Sequence, residues 1–176
     1  MNLSNRKNVI IKMLQESPGM GKTAIMKTVF MLQQVKHVDL GCEFSIYTYG
    51  PYSADVMEDI DELVSDGLLS SNAYVYKDYI GYKLSATDSG AEAVPSLKGE
   101  TVSALKEILD FVGKKTAKEL ELYSTIIYVD DWYLKNRKAN NMAAIIKKVH
   151  ELKPHFSEEI IQKSYTCLSE ASFLHQ

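Results

Sequence analysis

The sequence predicts an α+β protein that is mostly α, with a first domain over residues 1–97 and a second over residues 98–176. In the first domain, segments with apolar residues at helical spacing are interspersed with segments in which apolar residues alternate with period two. In the second, helical spacing alone recurs. The order helix, helix, short strand, helix and hairpin is that of an N-terminal winged helix-turn-helix with a two-stranded wing, followed here by a C-terminal helical domain packed on it.

The first two helices are separated by Ser17-Pro18-Gly19-Met20-Gly21, because proline and glycine interrupt the helical pattern there. The apolar positions of the second helix run to Val35, and Thr23 is predicted to be its N-cap. Residues 16–23 also look like a phosphate-binding loop. That motif has glycine where this chain has Glu16, and it follows a buried strand rather than a helix, so we expect no nucleotide site.

A short strand is predicted over Glu43–Tyr49, where side chains alternate, and Gly50-Pro51-Tyr52 is predicted to be a turn. Ser53 is placed to cap a third helix, and Gly67 follows the C-cap of that helix. Thr87 is predicted to cap a short fourth helix. The wing between these two helices is predicted from two β-prone runs, 68–76 and 79–84, joined by Lys77-Asp78.

The second domain is predicted to begin with a helix from Glu100 that Gly113 ends. Thr116-Ala-Lys-Glu119 then fits a capping box, in which the threonine hydroxyl and the glutamate carboxylate each accept a backbone amide of the first turn. The helix opened by this box, Leu120 to about Leu134, is apolar over most of its circumference and is therefore expected to be the spine of the domain. Two more helices are predicted, over Met142–Leu152 and Ser157–Ala171.

Several motifs carry a resemblance to known proteins. Gly67-Leu68-Leu69 followed by Tyr82-Lys-Leu-Ser-Ala-Thr87-Asp-Ser-Gly90 resembles the "G-L-I … Y-x-L-T-x-x-G" ending of winged helices in bacterial and archaeal regulators. A second set runs along nearly the whole chain: Gly21-Lys22-Thr23 through Lys27, Phe30-Met31-Leu32, Tyr49-Gly50-Pro51-Tyr52-Ser53, Asp59-Ile60-Asp61 with Leu63, Thr116 to Ile127, and Leu152-Lys153-Pro154.

This second set is similar to the uncharacterised YwgA-like winged-helix family, and its Gly-Pro-x-Ser turn is distantly similar to SocA-like Panacea antitoxin domains. The resemblance implies a winged helix with a helical C-terminal part, acting in regulation or toxin neutralisation. It implies no catalytic residues for this chain.

The third helix is acidic, which matters because a winged helix usually places this helix in the DNA major groove. The segment from Ser53 to Gly67 holds no Lys or Arg. Its six carboxylates belong to Asp55, Glu58, Asp59, Asp61, Glu62 and Asp66. Because phosphate neutralisation supplies most non-specific DNA affinity, these groups oppose groove binding. An ordinary solvated acidic face and a contact surface for a basic protein partner both remain open.

The sequence thus predicts a non-enzymatic regulator that acts through protein–protein contacts, as an antitoxin or adaptor does. The predicted contact residues are Tyr49, Tyr52, Asp55, Glu58, Asp59, Glu62 and Tyr76. The alternative is a DNA-binding transcriptional regulator of winged-helix type. Its predicted contacts are the basic residues Lys77, Lys83, Lys135, Arg137 and Lys138. A protein partner is expected, and the sequence leaves DNA and a homodimer open.

No catalytic, cofactor-binding or metal-binding residues are predicted. The two cysteines, Cys42 and Cys167, form no CxxC pair, and the four histidines form no ligand pair on one helix face. Asp130 and Asp131 are adjacent and so point to different helix faces, which does not suit paired acid–base work. The N-terminal apolar run is too short for a secretory signal, and no window reaches the length of a membrane span, so a cytoplasmic protein is expected.

Overall fold

A computed structural model describes residues 3–76, 79–95, 97–136 and 141–175 of the chain. Within these ranges the protein is a mostly helical α+β structure with eight helices and two small antiparallel sheets of two strands each. The helices are α1 (Asn5–Glu16), α2 (Lys22–Gln34), α3 (Ala54–Ser65), α4 (Asp88–Ala93), α5 (Gly99–Val112), α6 (Ala117–Lys135), α7 (Met142–Leu152) and α8 (Glu158–Glu170). The strands are β1 (Ser45–Tyr47), β2 (Gly50–Tyr52), β3 (Leu69–Tyr76) and β4 (Tyr79–Ala86).

The chain divides into two compact units that do not follow the predicted boundary at residue 97. The first unit comprises Met1–Phe44 and Ser53–Lys114, and the second comprises Ser45–Tyr52 and Lys115–Gln176. Helix α5 lies in the first unit because its apolar side packs against α2 and α1. The short hairpin β1–β2 lies in the second unit because β2 packs against α6.

The core of the first unit is built from the apolar sides of its first three helices. Every buried residue of α3 except Asp59 is apolar, and this side of α3 packs against α1, α2 and β3. Phe30, in the middle of α2, is among the largest fully buried side chains, and its ring meets Phe44 edge-on at 5.1 Å between centroids. The hairpin β3–β4 is tied to the same core, because Leu84 of β4 is buried and pairs with Met20 as an isolated antiparallel bridge.

The core of the second unit is organised around α6, as the sequence predicts. Residues 120–127 of this helix are all buried, so that the helix is covered on every side. Helices α7 and α8 pack on it and on each other. The helix begins with the predicted capping box, in which Thr116 Oγ1 accepts from the Glu119 amide and Glu119 accepts from the Thr116 amide.

The structure corrects three local predictions. Gly21 rather than Thr23 is the N-cap of α2, so no side chain caps that helix. Ser53 is the N-cap residue of α3, but its buried hydroxyl makes no hydrogen bond within the described part of the chain. The predicted turn Gly50–Tyr52 is strand β2, and the predicted strand Glu43–Tyr49 shortens to β1. Both strands follow from a tight reversal at Thr48-Tyr49, which pairs Tyr47 with Gly50.

No helix in the described part of the chain combines the length and the apolar composition that crossing a bilayer requires.

Candidate functional site

The most exposed group of aromatic side chains in the second unit lies on Ser45–Tyr52, which we call the tyrosine hairpin. Its two strands pair in the register Ser45 with Tyr52, Ile46 with Pro51 and Tyr47 with Gly50. Tyr47, Tyr49 and Tyr52 are 63%, 69% and 36% exposed, and the rings of Tyr47 and Tyr52 lie 5.3 Å apart. Exposed tyrosines on a short, paired segment are typical of protein-binding surfaces, where Tyr is enriched.

A buried lysine anchors this hairpin. Lys153, the C-cap of α7, is only 3% exposed, and its Nζ donates to the carbonyl oxygens of Tyr47, at 3.0 Å, and of Thr48. These two carbonyls belong to the reversal of the hairpin, where Tyr47 pairs with Gly50. Lys153 therefore holds the tip of the hairpin through main-chain atoms, whatever the side chains at its tip are.

The charge of Lys153 is balanced by Glu121, which is 7% exposed on α6. Glu121 Oε1 lies 2.9 Å from Lys153 Nζ and 3.3 Å from Nε2 of the half-exposed His155. The lysine N–H groups point at the hairpin carbonyls, so the contact with Glu121 is an ion pair rather than a well-aligned hydrogen bond. A buried charge requires such compensation, because removing one partner leaves the other desolvated and unpaired.

Glycine at position 50 lets the hairpin approach α6 closely. Its φ of +87° lies in the left-handed region. A Cβ at this position would stand 3.1–3.2 Å from Ser124 Oγ, from the Glu121 carbonyl oxygen and from Thr125 Oγ1. The hairpin backbone thus contacts α6 directly at the buried residues Glu121, Ser124 and Thr125.

In the first unit, the acidic side of α3 is joined to α1 and α2 by ion pairs. Asp59 is buried and accepts from Arg6 Nε, and Glu62 accepts from Lys7 Nζ. Lys22 Nζ lies 2.6 Å from Asp61 Oδ1. Burial lowers the pKa of Arg6, but its hydrogen bond and ion pair with Asp59 outweigh that effect and leave the pKa raised.

These pairs change the interpretation of the acidic helix. Half of its six carboxylates neutralise cations of the same unit, and the burial of Asp59 removes it from the exposed face. Of the remaining predicted contact residues on α3, Glu58 is exposed and Asp55 is half-buried. Arg6 and Lys7 of α1 and Lys22 of α2 are thereby paired with carboxylates of α3, so they are not free to bind DNA phosphates.

The hairpin β3–β4 exposes apolar residues near its tip. Val75, Ile80 and Tyr82 are 74%, 59% and 50% exposed. Lys83, one of the predicted DNA contacts, is exposed and places its Nζ 5.3 Å above the ring of Tyr74, a cation–π arrangement. The side chain of Tyr76 and all of Lys77 lie outside the described residues.

The other predicted DNA contacts lie in the second unit. Lys135 is exposed at the end of α6 and forms an i,i+4 ion pair with Asp131 at 2.7 Å. Arg137 and Lys138 fall in the segment 137–140, outside the described residues. Lys83 belongs to the first unit and Lys135 to the second.

Sequence patterns did not identify Lys153 and Glu121 as residues of this site. A signal was present in the motifs: Tyr49 to Ser53, Thr116 to Ile127 and Leu152-Lys153-Pro154 stand far apart in the sequence. The structure brings them together, because each contributes to the anchor of the tyrosine hairpin. The packing of the tyrosine hairpin against α6 and Lys153 therefore accounts for all three motifs.

The histidine, cysteine and carboxylate side chains offer little for metal or thiol chemistry. In the described ranges, no three of them are grouped so that they could hold a metal ion. Cys42 and Cys167 are free thiols. Burial raises the pKa of Cys42 to about 11, which disfavours the reactive thiolate.

Comparison with known proteins gives one distant similarity. The chain is 26% identical over 110 residues to the uncharacterized protein YwgA of Bacillus subtilis (strain 168). The alignment covers 62% of this chain and 65% of YwgA, so that the chain spans less than two thirds of the length of that relative. No protein-family model matches the chain. The predicted similarity to YwgA is thus confirmed as a distant one, whereas the relation to Panacea antitoxin domains stays a prediction.

Proposed function

We propose that α1, α2, α3 and the hairpin β3–β4 form a winged helix, with β3–β4 as its wing. The order of these elements along the chain supports this assignment. So does the packing of α3 against α1, α2 and β3, together with the bridge from Met20 to Leu84 that ties the wing to the connection between α1 and α2.

We infer further that the protein is a non-enzymatic regulator that binds another protein, as an antitoxin or adaptor does, and that the tyrosine hairpin is part of its contact surface. The observation that carries this proposal is the combination of exposed tyrosines with a buried anchor. Tyr47, Tyr49 and Tyr52 present large amphipathic side chains, and Lys153 with Glu121 fixes the segment that bears them. A pre-organised contact segment loses less conformational entropy when it binds.

DNA binding is the weaker proposal. The segment Ser53–Gly67 lacks cations, and Arg6, Lys7 and Lys22 are paired with carboxylates of α3. A DNA phosphate near this helix would have to displace those carboxylates and would meet the exposed Glu58.

The contact surface is tested by replacing Tyr49 with a photo-crosslinking phenylalanine analogue in cells. Leu134, 51% exposed on α6 of the same unit, is the control position. We expect a discrete cross-linked protein from position 49 that is absent from position 134. A purified form of that protein should then bind the Tyr47→Ala/Tyr49→Ala variant at least about tenfold more weakly than the wild type, as loss of a hot spot does.

The Leu134→Ala variant should bind that same partner as the wild type does. The absence of a specific cross-link at position 49, or unchanged affinity in the double tyrosine variant, would contradict the assignment of the tyrosine hairpin as a contact surface.

A further inference from the structure

The free edge of the wing presents a main-chain pattern that can pair with another strand. Leu84 of β4 donates its N–H to the Met20 carbonyl and accepts from the Gly19 amide, so both of its backbone groups point away from β3. Ser71, its partner on β3, therefore sits in a non-hydrogen-bonded pair of the antiparallel ladder. Its N–H and C=O consequently point away from β4.

The same orientation recurs at every second residue of β3, at Ala73 and Val75. In the ranges that the structure describes, no hydrogen bond reaches the backbone groups of these three residues. All three are exposed. The outer edge of β3 thus offers a row of unsatisfied donors and acceptors to solvent.

This edge lacks the features that normally prevent strand-to-strand association. Natural edge strands carry charged residues or proline, or are kept short. β3 has eight residues, Leu-Ser-Ser-Asn-Ala-Tyr-Val-Tyr, with no charge and no proline. Val75 on this edge strand is 74% exposed, which makes it one of the most exposed apolar side chains of the described chain.

We propose that two copies of this chain associate by antiparallel pairing of their β3 edges about a two-fold axis at Ala73. In this register Ala73 faces its own copy, and Ser71 of each chain faces Val75 of the other. The outward N–H and C=O groups of Ser71, Ala73 and Val75 are then all paired, in about six interchain hydrogen bonds. A second copy fits better than an unrelated basic or acidic segment, because the uncharged edge offers nothing to select a charged partner and meets its own copy without repulsion.

The pairing also joins equivalent faces of the two wings. Ser71, Ala73 and Val75 share one face of the hairpin with Leu84, Tyr82 and Ile80. The two-fold operation places the equivalent residues of the second copy on the same face of a four-stranded sheet. The tyrosine hairpin belongs to the other unit of the chain, so this self-association does not depend on the partner binding proposed above.

The decisive substitution is Ala73→Pro. Proline removes the outward N–H but breaks no bond to β4, and is tolerated at edge positions whose N–H faces solvent. The matched control is Ile80→Lys, which adds a charge to the same exposed face but lies on β4, away from the free edge. Val75→Lys, which leaves the backbone unchanged and adds a charge to the edge itself, is the second edge variant.

Sedimentation velocity on the full chain, from low micromolar to near-millimolar concentration, measures the outcome. We expect a monomer–dimer equilibrium in the wild type, a dissociation constant at least about tenfold higher in each folded edge variant, and one close to the wild type in Ile80→Lys. Circular dichroism checks folding, and Val75→Lys decides the question if Ala73→Pro does not fold. A wild type that stays monomeric throughout, or an Ile80→Lys variant weakened as much as the edge variants, would overturn the proposal.

Discussion

Among single residues, Lys153 is one of two lysines that are buried in the described ranges, the other being Lys27. The Nζ of Lys153 is bound to two carbonyl oxygens and paired with Glu121. Replacement by methionine should destabilise the fold by about 3 kcal/mol, because the buried Glu121 would lose its nearest cation and two carbonyl groups would lose the Nζ donor. Urea unfolding monitored by circular dichroism measures this change.

Lys163 supplies a matched control for that experiment. It forms an i,i+4 ion pair with Glu159 in which both side chains are about three-quarters exposed, at 74% and 77%. Exposed pairs of this kind contribute little, so Lys163→Met should change the free energy of unfolding by less than about 0.5 kcal/mol. Equal effects of the two substitutions would show that Lys153 does not anchor the hairpin.

Gly50 is sensitive to any side chain for two separate reasons. Its backbone is left-handed, and a Cβ would press on α6 at 3.1–3.2 Å. Gly41 shares the left-handed backbone, with φ of +64°, but a Cβ there would meet nothing within 4 Å. Thermal unfolding should therefore show a cost of about 1 kcal/mol for Gly41→Ala. Gly50→Ala should cost about 2–4 kcal/mol, because contact with α6 is added to the backbone strain.

The thiol of Cys42 should react slowly in the folded protein. Its pKa is raised from 9.0 to about 11 by burial, which corresponds to roughly a hundredfold less thiolate near pH 8. Iodoacetamide labelling followed by mass spectrometry should show this reduction relative to the urea-unfolded chain. Because the folded-state pKa is the higher one, the protonated thiol favours folding below pH 9.0, and this contribution is lost as the pH rises through about 11. Labelling at the unfolded rate at pH 8 would contradict the burial of Cys42.

The sequence predicted correctly the residues whose hydrogen-bond partners are close to them in the chain. The capping box of Thr116 and Glu119 and the N-cap of Thr87 depend on groups three residues away, and both were confirmed. Lys153 was not predicted, because its carbonyl partners lie 105 and 106 residues earlier in the sequence. Helical spacing and capping patterns do not distinguish it from the exposed lysines, and the signal that was present lies in motifs far apart in the sequence.

At the scale of secondary-structure elements, α3 is held to the rest of its unit by charge as well as by apolar packing. Asp59 is buried beside Arg6, whereas Glu58 on the same helix is exposed. Asp59→Asn should destabilise the protein by about 2–3 kcal/mol, since it leaves the partly buried guanidinium without its counter-charge. The isosteric control Glu58→Gln should stay within about 0.5 kcal/mol of the wild type. Chemical denaturation compares the two, and similar values would remove the ion pair as the cause.

The elements themselves were predicted unevenly. Helices with an amphipathic stripe and clear caps, such as α7 and α8, appear within a few residues of the expected bounds. The tyrosine hairpin was misassigned, because each of its strands has three residues and Gly50-Pro51 is a sequence typical of turns. The hairpin also contacts α6 and Lys153, which lie far away in the sequence, so no local pattern contains these contacts.

At the scale of the whole molecule, the distribution of charge does not favour DNA as a partner. The formal net charge is −3, and cations near α3 are already paired. We expect weak binding to random duplex DNA in fluorescence anisotropy, with little dependence of the apparent affinity on salt. Tight binding with a steep inverse salt dependence would contradict the protein-binding proposal and favour the DNA-binding one.

The order of α1, α2, α3 and the hairpin β3–β4 was accessible from sequence, because each of these elements has its own periodicity and is bounded by turn residues. The division into units was not. Residues 45–52 lie between two segments of the first unit, yet their packing partners are in the second. A division between residues 97 and 98 separates this hairpin from Glu121 and Lys153, the residues that hold it.

The hydrogen bonds from Lys153 to Tyr47 and Thr48 also imply that, during synthesis on the ribosome, the hairpin is made before its anchor. The chain emerges from the N-terminus, so the hairpin is synthesised about a hundred residues before the lysine that anchors it. Until α7 emerges, the tip carbonyls lack the Lys153 Nζ donor, and the nascent chain carries three tyrosines on an unanchored segment. Lys153 and Glu121 both belong to the second unit, so the proposed contact surface is completed only when that unit folds.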